Sequence, residues 1–129
     1  MTGDNIFGLR PYEPLWHDAE AVATIYQNLG TVTAQQVVTR AMAELAATMA
    51  SIAESIEYHQ LALLPRHLRR LQSLAENLGM LSLAQVAEDL RGCLPREDGT
   101  TFAAIWARLE RVAEATFAAE DGARDHFQH

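Results

Sequence analysis

The segment 66–70, Arg-His-Leu-Arg-Arg, places one imidazole among three guanidinium groups. A neutral imidazole has a nitrogen lone pair that can attack phosphorus, whereas an arginine side chain stays protonated and only donates hydrogen bonds. If His67 faces solvent, the segment could accept a phosphoryl group. If Arg69 faces solvent instead, it could only bind anionic groups, so the rotation of this helix decides the chemistry.

The leucines around the segment predict that Arg69 faces outward. Three of them follow helical spacing and define the buried direction: Leu64, Leu71 and Leu78. Because a helix turns by about 100° per residue, His67 lies roughly 200° around the helix from Arg69, at the edge of the apolar stripe. Exposing His67 would also expose leucines, at a cost of about 1.5–3 kcal/mol for each side chain. We predict that His67 is a partly buried structural residue, with phosphoryl transfer through it as the alternative.

The remaining polar residues predict no further chemistry. The other histidines, His17, His59, His126 and His129, are interpreted as solvated or as part of the C-terminal tail, without a zinc site. No glycine-rich phosphate loop, nucleophile elbow or metalloprotease helix motif occurs. Cys93 is the one cysteine, which fits a reducing cytoplasm. The prediction is a protein with no metal, no cofactor and no catalytic activity of its own.

Composition restricts the possible partners. A chain of 129 residues with a formal net charge of -7 is long enough for one domain and would repel nucleic acid and anionic membranes. The first residues do not follow the pattern of a signal peptide, and no apolar run reaches the roughly 18 residues of a membrane span. These features predict a cytoplasmic protein that binds neither nucleic acid nor membrane.

The first half of the sequence predicts two helices after an N-terminal arm at residues 1–12. The first helix begins near Pro14 and closes at Gly30. Thr33 with Gln36 has the spacing of a capping box at the start of the second, with Val32 and Val37 as a hydrophobic staple. A seam of apolar residues then follows three- and four-residue steps: Val38, Met42, Leu45, Met49, Ile52 and Ile56. This seam predicts either a central helix of a bundle or a homodimer surface.

The second half predicts three more helices. The chain turns at residues 58–64, and a helix begins within a turn of Pro65 and stops at Gly79. Ser82 with Gln85 has the spacing of a second capping box, with Leu81 and Val86 as its staple. That short helix ends before Pro95 and is followed by a polar loop at 95–100. The last helix buries seven residues, Phe102, Ile105, Trp106, Leu109, Val112, Ala113 and Phe117, before a frayed tail at 120–129.

Together these elements predict an all-α protein, an antiparallel four-helix bundle with an additional N-terminal helix. It forms one domain over residues 13–119. The spacing of six residues also resembles the histidine-phosphotransfer (HPt) domain family: Leu71, Leu78, Gly79, Leu83, Ala87 and Leu90. The family pattern begins His-x-Leu-Lys-Gly. Five residues follow, the last of them apolar, and then a glycine. After three further residues comes a leucine, followed later by a small residue and another leucine. The resemblance extends from about residue 38 to about residue 119, with a bundle core at about 33–119, and implies phosphorelay signalling.

The chain departs from this family at the residues that carry chemistry. Arg69 occupies the phosphoacceptor position, Gln72 the position of the usual lysine and Ser73 that of the usual glycine. The resemblance therefore implies a degenerate member without phosphotransfer activity, which acts as a protein-binding module. We predict a docking surface on this helix for a response-regulator receiver domain, whose pocket carries carboxylates, or for a sensor kinase. Its residues are Arg66, Arg69, Arg70, Gln72, Ser73 and Glu76. An unrelated helical structural module or a homodimer is the remaining alternative.

Overall fold

The computed structural model describes residues 15–94 and 99–127, with side chains described as far as residue 120. Within these ranges the chain forms five α-helices and a single turn of 3-10 helix at Leu61–Leu63. The helices are α1 (Ala19–Leu29), α2 (Thr31–Glu57), α3 (Leu64–Asn77), α4 (Leu81–Gly92) and α5 (Gly99–Phe127). Extended pairing in the described part amounts to an isolated bridge between His17 and Met80. The predicted all-α class is confirmed.

Some of the predicted elements lie outside the described residues. They are the arm at 1–12, Pro14, positions 95–98 of the polar loop, His129 and the side chain of His126. Among the residues that the structure does describe, no helix is both long enough and apolar enough to cross a lipid bilayer.

The helices pack in chain order. α1 lies on α2, α2 on α3, α3 on α4, and α4 on α5, with the most extensive contact between α3 and α4. In the described part of the chain, α2 and α5 share no comparable contact along their length. The short α3 and α4 therefore form the centre of the molecule, and the two long helices flank them.

One apolar core joins α2, α3, α4 and α5. The buried stripe of α3 follows helical spacing, and each of its members has 0% of its surface exposed: Leu64, Leu68, Leu71 and Ala75. Leu109, Val112 and Ala113 of α5 are also buried, as predicted, and the aromatic residues of α5 whose side chains are described pack half-buried against the core. By contrast, α1 contains no buried residue. The core therefore fixes the rotation of α3, which is the helix that carries the candidate site.

Gly79 ends α3 through a Schellman motif. Its φ is 75°, a left-handed conformation that glycine adopts without a Cβ penalty. The Met80 N–H donates to the Ala75 carbonyl at 2.8 Å, and the Gly79 N–H donates to the Glu76 carbonyl at 3.0 Å. Met80 and Ala75 are both buried, which adds the apolar contact that accompanies this motif. The predicted stop at Gly79 is confirmed.

Residues 15–18, which we call the N-terminal strap, lie across the turn between α3 and α4. The Trp16 carbonyl accepts from the N–H groups of Leu81 and Ser82, at 2.9 and 3.2 Å, and the Trp16 N–H donates to the Ser82 hydroxyl. The Asp18 N–H donates to the Gly79 carbonyl at 2.7 Å. The strap therefore caps the first turn of α4 with a carbonyl from a distant part of the chain.

The strap also explains why the predicted start of the first helix was wrong. That helix begins at Ala19, with Asp18 as its N-cap and the Asp18 carboxylate accepting from the Glu20 N–H at 3.1 Å. The backbone of Trp16 is extended and used in bonds to α4, so it cannot also take part in helix bonds from a start at Pro14. The predicted close of this helix at Gly30 is confirmed.

Both predicted capping boxes were also wrong. α2 begins at Thr31 because the Gly30 carbonyl accepts from the Ala34 N–H at 2.9 Å, so Thr33 lies inside the first turn. The supposed staple is absent there, since Val32 is 69% exposed and Val37 is 40% exposed. Neither α2 nor α4 has a side-chain cap. At α4, the carbonyl of the strap takes the role predicted for the Ser82 hydroxyl.

The last helix is longer at both ends than its apolar pattern predicts. Gly99 and Thr100 belong to α5 rather than to the preceding loop, and the helical backbone continues to Phe127. Seven helical residues, 121–127, therefore follow the last described side chain. The predicted end near residue 119 and the frayed tail after it were therefore wrong for the backbone, which is helical to Phe127.

Candidate docking surface on helix α3

The rotation of α3 turns Arg69 toward solvent and His67 toward the edge of the core. Arg66 and Arg69 are exposed, whereas His67 is half-buried beside the fully buried Leu68. This arrangement follows from the leucine spacing. His67, the group of the segment 66–70 with a nucleophilic nitrogen, is therefore less accessible to solvent than Arg66 and Arg69.

The three arginines of the predicted surface differ in their surroundings. Arg70 donates to the Glu44 carboxylate of α2 at 2.7 Å, in an ion pair whose side chains are 55% and 46% exposed. Arg66 and Arg69 have neither a hydrogen-bond partner nor an ion-pair partner among the described residues. Two guanidinium groups on this helix are therefore available to an external anion, and the third is already paired.

Gln72 is half-buried and connects α3 to α4. Its amide oxygen accepts from Arg91 at 2.8 Å. Its amide nitrogen lies 3.2 Å from a Glu76 carboxylate oxygen and 3.4 Å from one of Glu88. Gln72 and Glu76 are therefore engaged within the molecule, while Ser73 is exposed next to them. Glu88 and Arg91 were not predicted as part of this surface, because nothing in the spacing of α4 shows which residues of α3 they will meet.

An open groove of about 610 Å³ lies beside Arg69, between α3, the end of α4 and the start of α5. Charged side chains from α3 and α4 dominate its walls, and its apolar lining comes from Pro65 of α3, Cys93 after α4 and Ile105 of α5. The described residues that line it are Pro65, Arg69, Glu88, Asp89, Arg91, Gly92, Cys93, Thr101 and Ile105. The groove extends the predicted surface from α3 onto α4, in the direction of Arg91.

The other described histidines, any metal site and the predicted homodimer seam concern other parts of the molecule. His17 is exposed in the strap, and His59 is exposed after α2 with a φ of 55°. Across residues 15–94 and 99–120, no cluster of three histidine, cysteine or acidic side chains could hold a metal ion.

The seam considered for a homodimer faces the chain's own core, where Met42, Leu45 and Ile52 are buried. A homodimer would have to use a different surface.

The guanidinium groups of this surface are suited to binding an oxyanion and cannot themselves form a covalent bond to one. Guanidinium groups donate up to five hydrogen bonds in a planar fork that matches carboxylate and phosphate oxygens, and they carry no nucleophilic lone pair.

No protein-family model, curated protein or solved structure matches this chain.

The ion pair between Arg70 and Glu44 is expected to contribute little to stability. Because both side chains are about half exposed, Arg70→Ala should lower the free energy of unfolding by less than about 1 kcal/mol. The measurement is urea unfolding at low and at high sodium chloride, and the difference from the wild type should shrink with salt. A loss well above this value that persists in high salt would mean that the pair is desolvated.

Proposed function

We propose that α2–α5 form an HPt-like antiparallel four-helix bundle that lacks the phosphoacceptor and binds a protein partner in phosphorelay signalling. The partner is a response-regulator receiver domain or a sensor kinase. Arg69 occupies the position where the resemblance implies a reactive histidine, and it is exposed without a partner among the described residues. This observation carries the proposal, because an exposed cation suits a pocket of carboxylates and cannot take phosphate from it.

Three further observations support the proposal. The short helix α4 occupies the third bundle position, where the resemblance implies a short helix, with α1 added in front of the bundle. His67 is half-buried against the core, so it is poorly placed to replace the missing histidine. The local charge also fits, since α3 presents arginines on a chain whose formal net charge is -7.

The first experiment incubates the chain with a panel of purified receiver domains carrying radiolabelled aspartyl phosphate. We expect no acid-labile, base-stable label on the wild-type chain. Binding to at least one receiver should be measurable by calorimetry, and Arg69→Ala should weaken it by at least about tenfold through loss of charge-assisted hydrogen bonds. Arg111→Ala, at an exposed position on α5, is the matched control and should leave the affinity unchanged.

A gain-of-function variant tests the same proposal from the other side. In Arg69→His with Gln72→Lys and Ser73→Gly, an exposed imidazole and an adjacent positive charge occupy the positions that the family resemblance implies. This triple variant should acquire label from a phosphorylated receiver, whereas the triple variant with His67→Ala added should acquire it equally. Stoichiometric labelling of the wild-type chain, or absence of both binding and gained labelling across the panel, would contradict the proposal.

A further inference from the structure

The groove beside Arg69 contains a second guanidinium that has no carboxylate partner within the described part of the chain. Arg91 of α4 lines this groove, and its single partner among the described residues is the neutral amide oxygen of Gln72 at 2.8 Å. Since a guanidinium has five N–H donors, most of those on Arg91 remain unused. Arg69 lines the same groove and uses none of its donors on the described residues.

The acidic residues of the groove are already engaged. The Asp89 carboxylate lies 3.6 Å from the Arg108 guanidinium and accepts from the Gln85 amide at 3.0 Å. Glu88 is contacted by the Gln72 amide nitrogen at 3.4 Å. Among the described residues that line the groove, both carboxylates therefore already have contacts within the chain, whereas the guanidinium groups of Arg69 and Arg91 have no carboxylate partner.

Gln72 positions Arg91 for this role. Its amide nitrogen is near both Glu76 and Glu88, which fixes the amide so that its oxygen faces Arg91. The Arg91 side chain is therefore held in place before any ligand arrives, and less conformational entropy is lost on binding. The uncharged Gln72 side chain thus helps to position the Arg91 guanidinium of the neighbouring helix α4.

From this geometry we propose that Arg69 and Arg91 together bind a carboxylate side chain of the partner protein, across the groove between α3 and α4. The inference rests on the proposed function and deepens it, because it adds α4 to the surface and states what the partner inserts. A planar carboxylate matches the guanidinium fork, and two forks from different helices would contact both of its oxygens. The groove has a volume of about 610 Å³ and is open enough to admit a side chain that projects from the surface of a folded partner.

Arginine side-chain NMR tests the carboxylate site without a receiver. The probe is a capped Gly-Asp-Asp-Gly peptide, titrated at constant ionic strength into the ¹⁵N-labelled full chain, with inorganic phosphate in a parallel titration. We expect saturable shifts of the Nε–H resonances of Arg69 and Arg91 with the peptide. Arg69→Gln and Arg91→Gln should each raise its dissociation constant at least about tenfold, while Arg111→Gln, at an exposed position of α5 outside the groove, should leave it unchanged.

Two further variants separate placement from charge. Arg91→Lys keeps the charge without the fork and should weaken peptide binding less than Arg91→Gln does. Gln72→Met should weaken it a few-fold while leaving the Arg69 shift in place, because Arg91 loses its anchor. Equal shifts at Arg111, no saturation, or saturable binding of phosphate without binding of the peptide would overturn the inference.

The failures of the two proposals are distinguishable. If a receiver binds through Arg69 but tolerates Arg91→Lys and Arg91→Gln alike, the groove inference is wrong and the proposed function stands. If the peptide binds as expected and no receiver in the panel does, the carboxylate site stands and the proposed class of partner is wrong.

Discussion

Leu71→Ala is expected to lower the free energy of unfolding by about 2–5 kcal/mol, the range for removing a fully buried leucine side chain. Leu71 lies at the middle of the buried stripe of α3 and has 0% of its surface exposed. Its loss leaves a cavity between α3 and its neighbours that the core can close only in part. Urea unfolding followed by circular dichroism measures the effect.

The matched control is Ser73→Ala, two positions further along the same helix. Ser73 is exposed, and alanine has the higher helix propensity, so this change should be neutral or stabilising by up to about 0.5 kcal/mol. The pair of variants therefore tests the rotation of α3 directly. A costly Ser73→Ala beside a harmless Leu71→Ala would mean that the helix is turned the other way, with His67 outward and Arg69 against the core.

Gly79→Ala is expected to cost about 2–4 kcal/mol and to displace the N-terminal strap. A Cβ at this position would lie 2.2 Å from the Asp18 carbonyl oxygen and 3.1 Å from the Ala21 Cβ, so the strap would have to move. The left-handed φ of 75° adds a conformational cost. Besides the loss in urea unfolding, the amides of Leu81 and Ser82 should exchange hydrogen faster, because they donate to the Trp16 carbonyl of the strap.

Two other glycines separate the contributions to this loss. Gly30 also has a positive φ, of 80°, but a Cβ there would meet nothing within 4 Å. Gly30→Ala should therefore cost about 1–3 kcal/mol from backbone conformation and leave the exchange of Leu81 and Ser82 unchanged. Gly92 has no positive φ, and a Cβ there would meet nothing within 4 Å, so Gly92→Ala should be neutral or slightly stabilising. Unchanged exchange at Leu81 and Ser82 in Gly79→Ala would show that the strap does not depend on this close approach.

The strap has a structural consequence for the candidate surface. It holds the turn that joins α3 to α4, and the groove with Arg69 and Arg91 lies between these same two helices. The strap is located at the end of α3 opposite to Pro65, so a change at Gly79 acts on the pairing of the helices and does not touch the groove. Gly79→Ala is for this reason a poor variant for binding studies and a good one for stability.

The failed capping predictions show where local patterns are weakest. A Ser or Thr followed three residues later by Gln is common in helical sequences, and it marks a helix start only when no other group satisfies the first N–H donors. At α2 the helix begins at Thr31, so Thr33 lies inside the first turn and is not the N-cap. At α4 the Trp16 carbonyl satisfies the N–H groups of Leu81 and Ser82, and it lies more than sixty residues away in sequence, beyond the reach of any local pattern.

The sequence by itself determined the helical class, the rotation of α3 and its stop at Gly79. These depend on leucines and a glycine only a few residues apart, and the energy of burying large side chains outweighs other local preferences. Only the tertiary structure decided that residues 15–18 cap α4, that Arg70 pairs with Glu44, and that Gln72 holds Arg91 beside Arg69. Each of these contacts joins residues far apart in sequence through one to four hydrogen bonds, which are worth little against solvent until packing has brought their partners together.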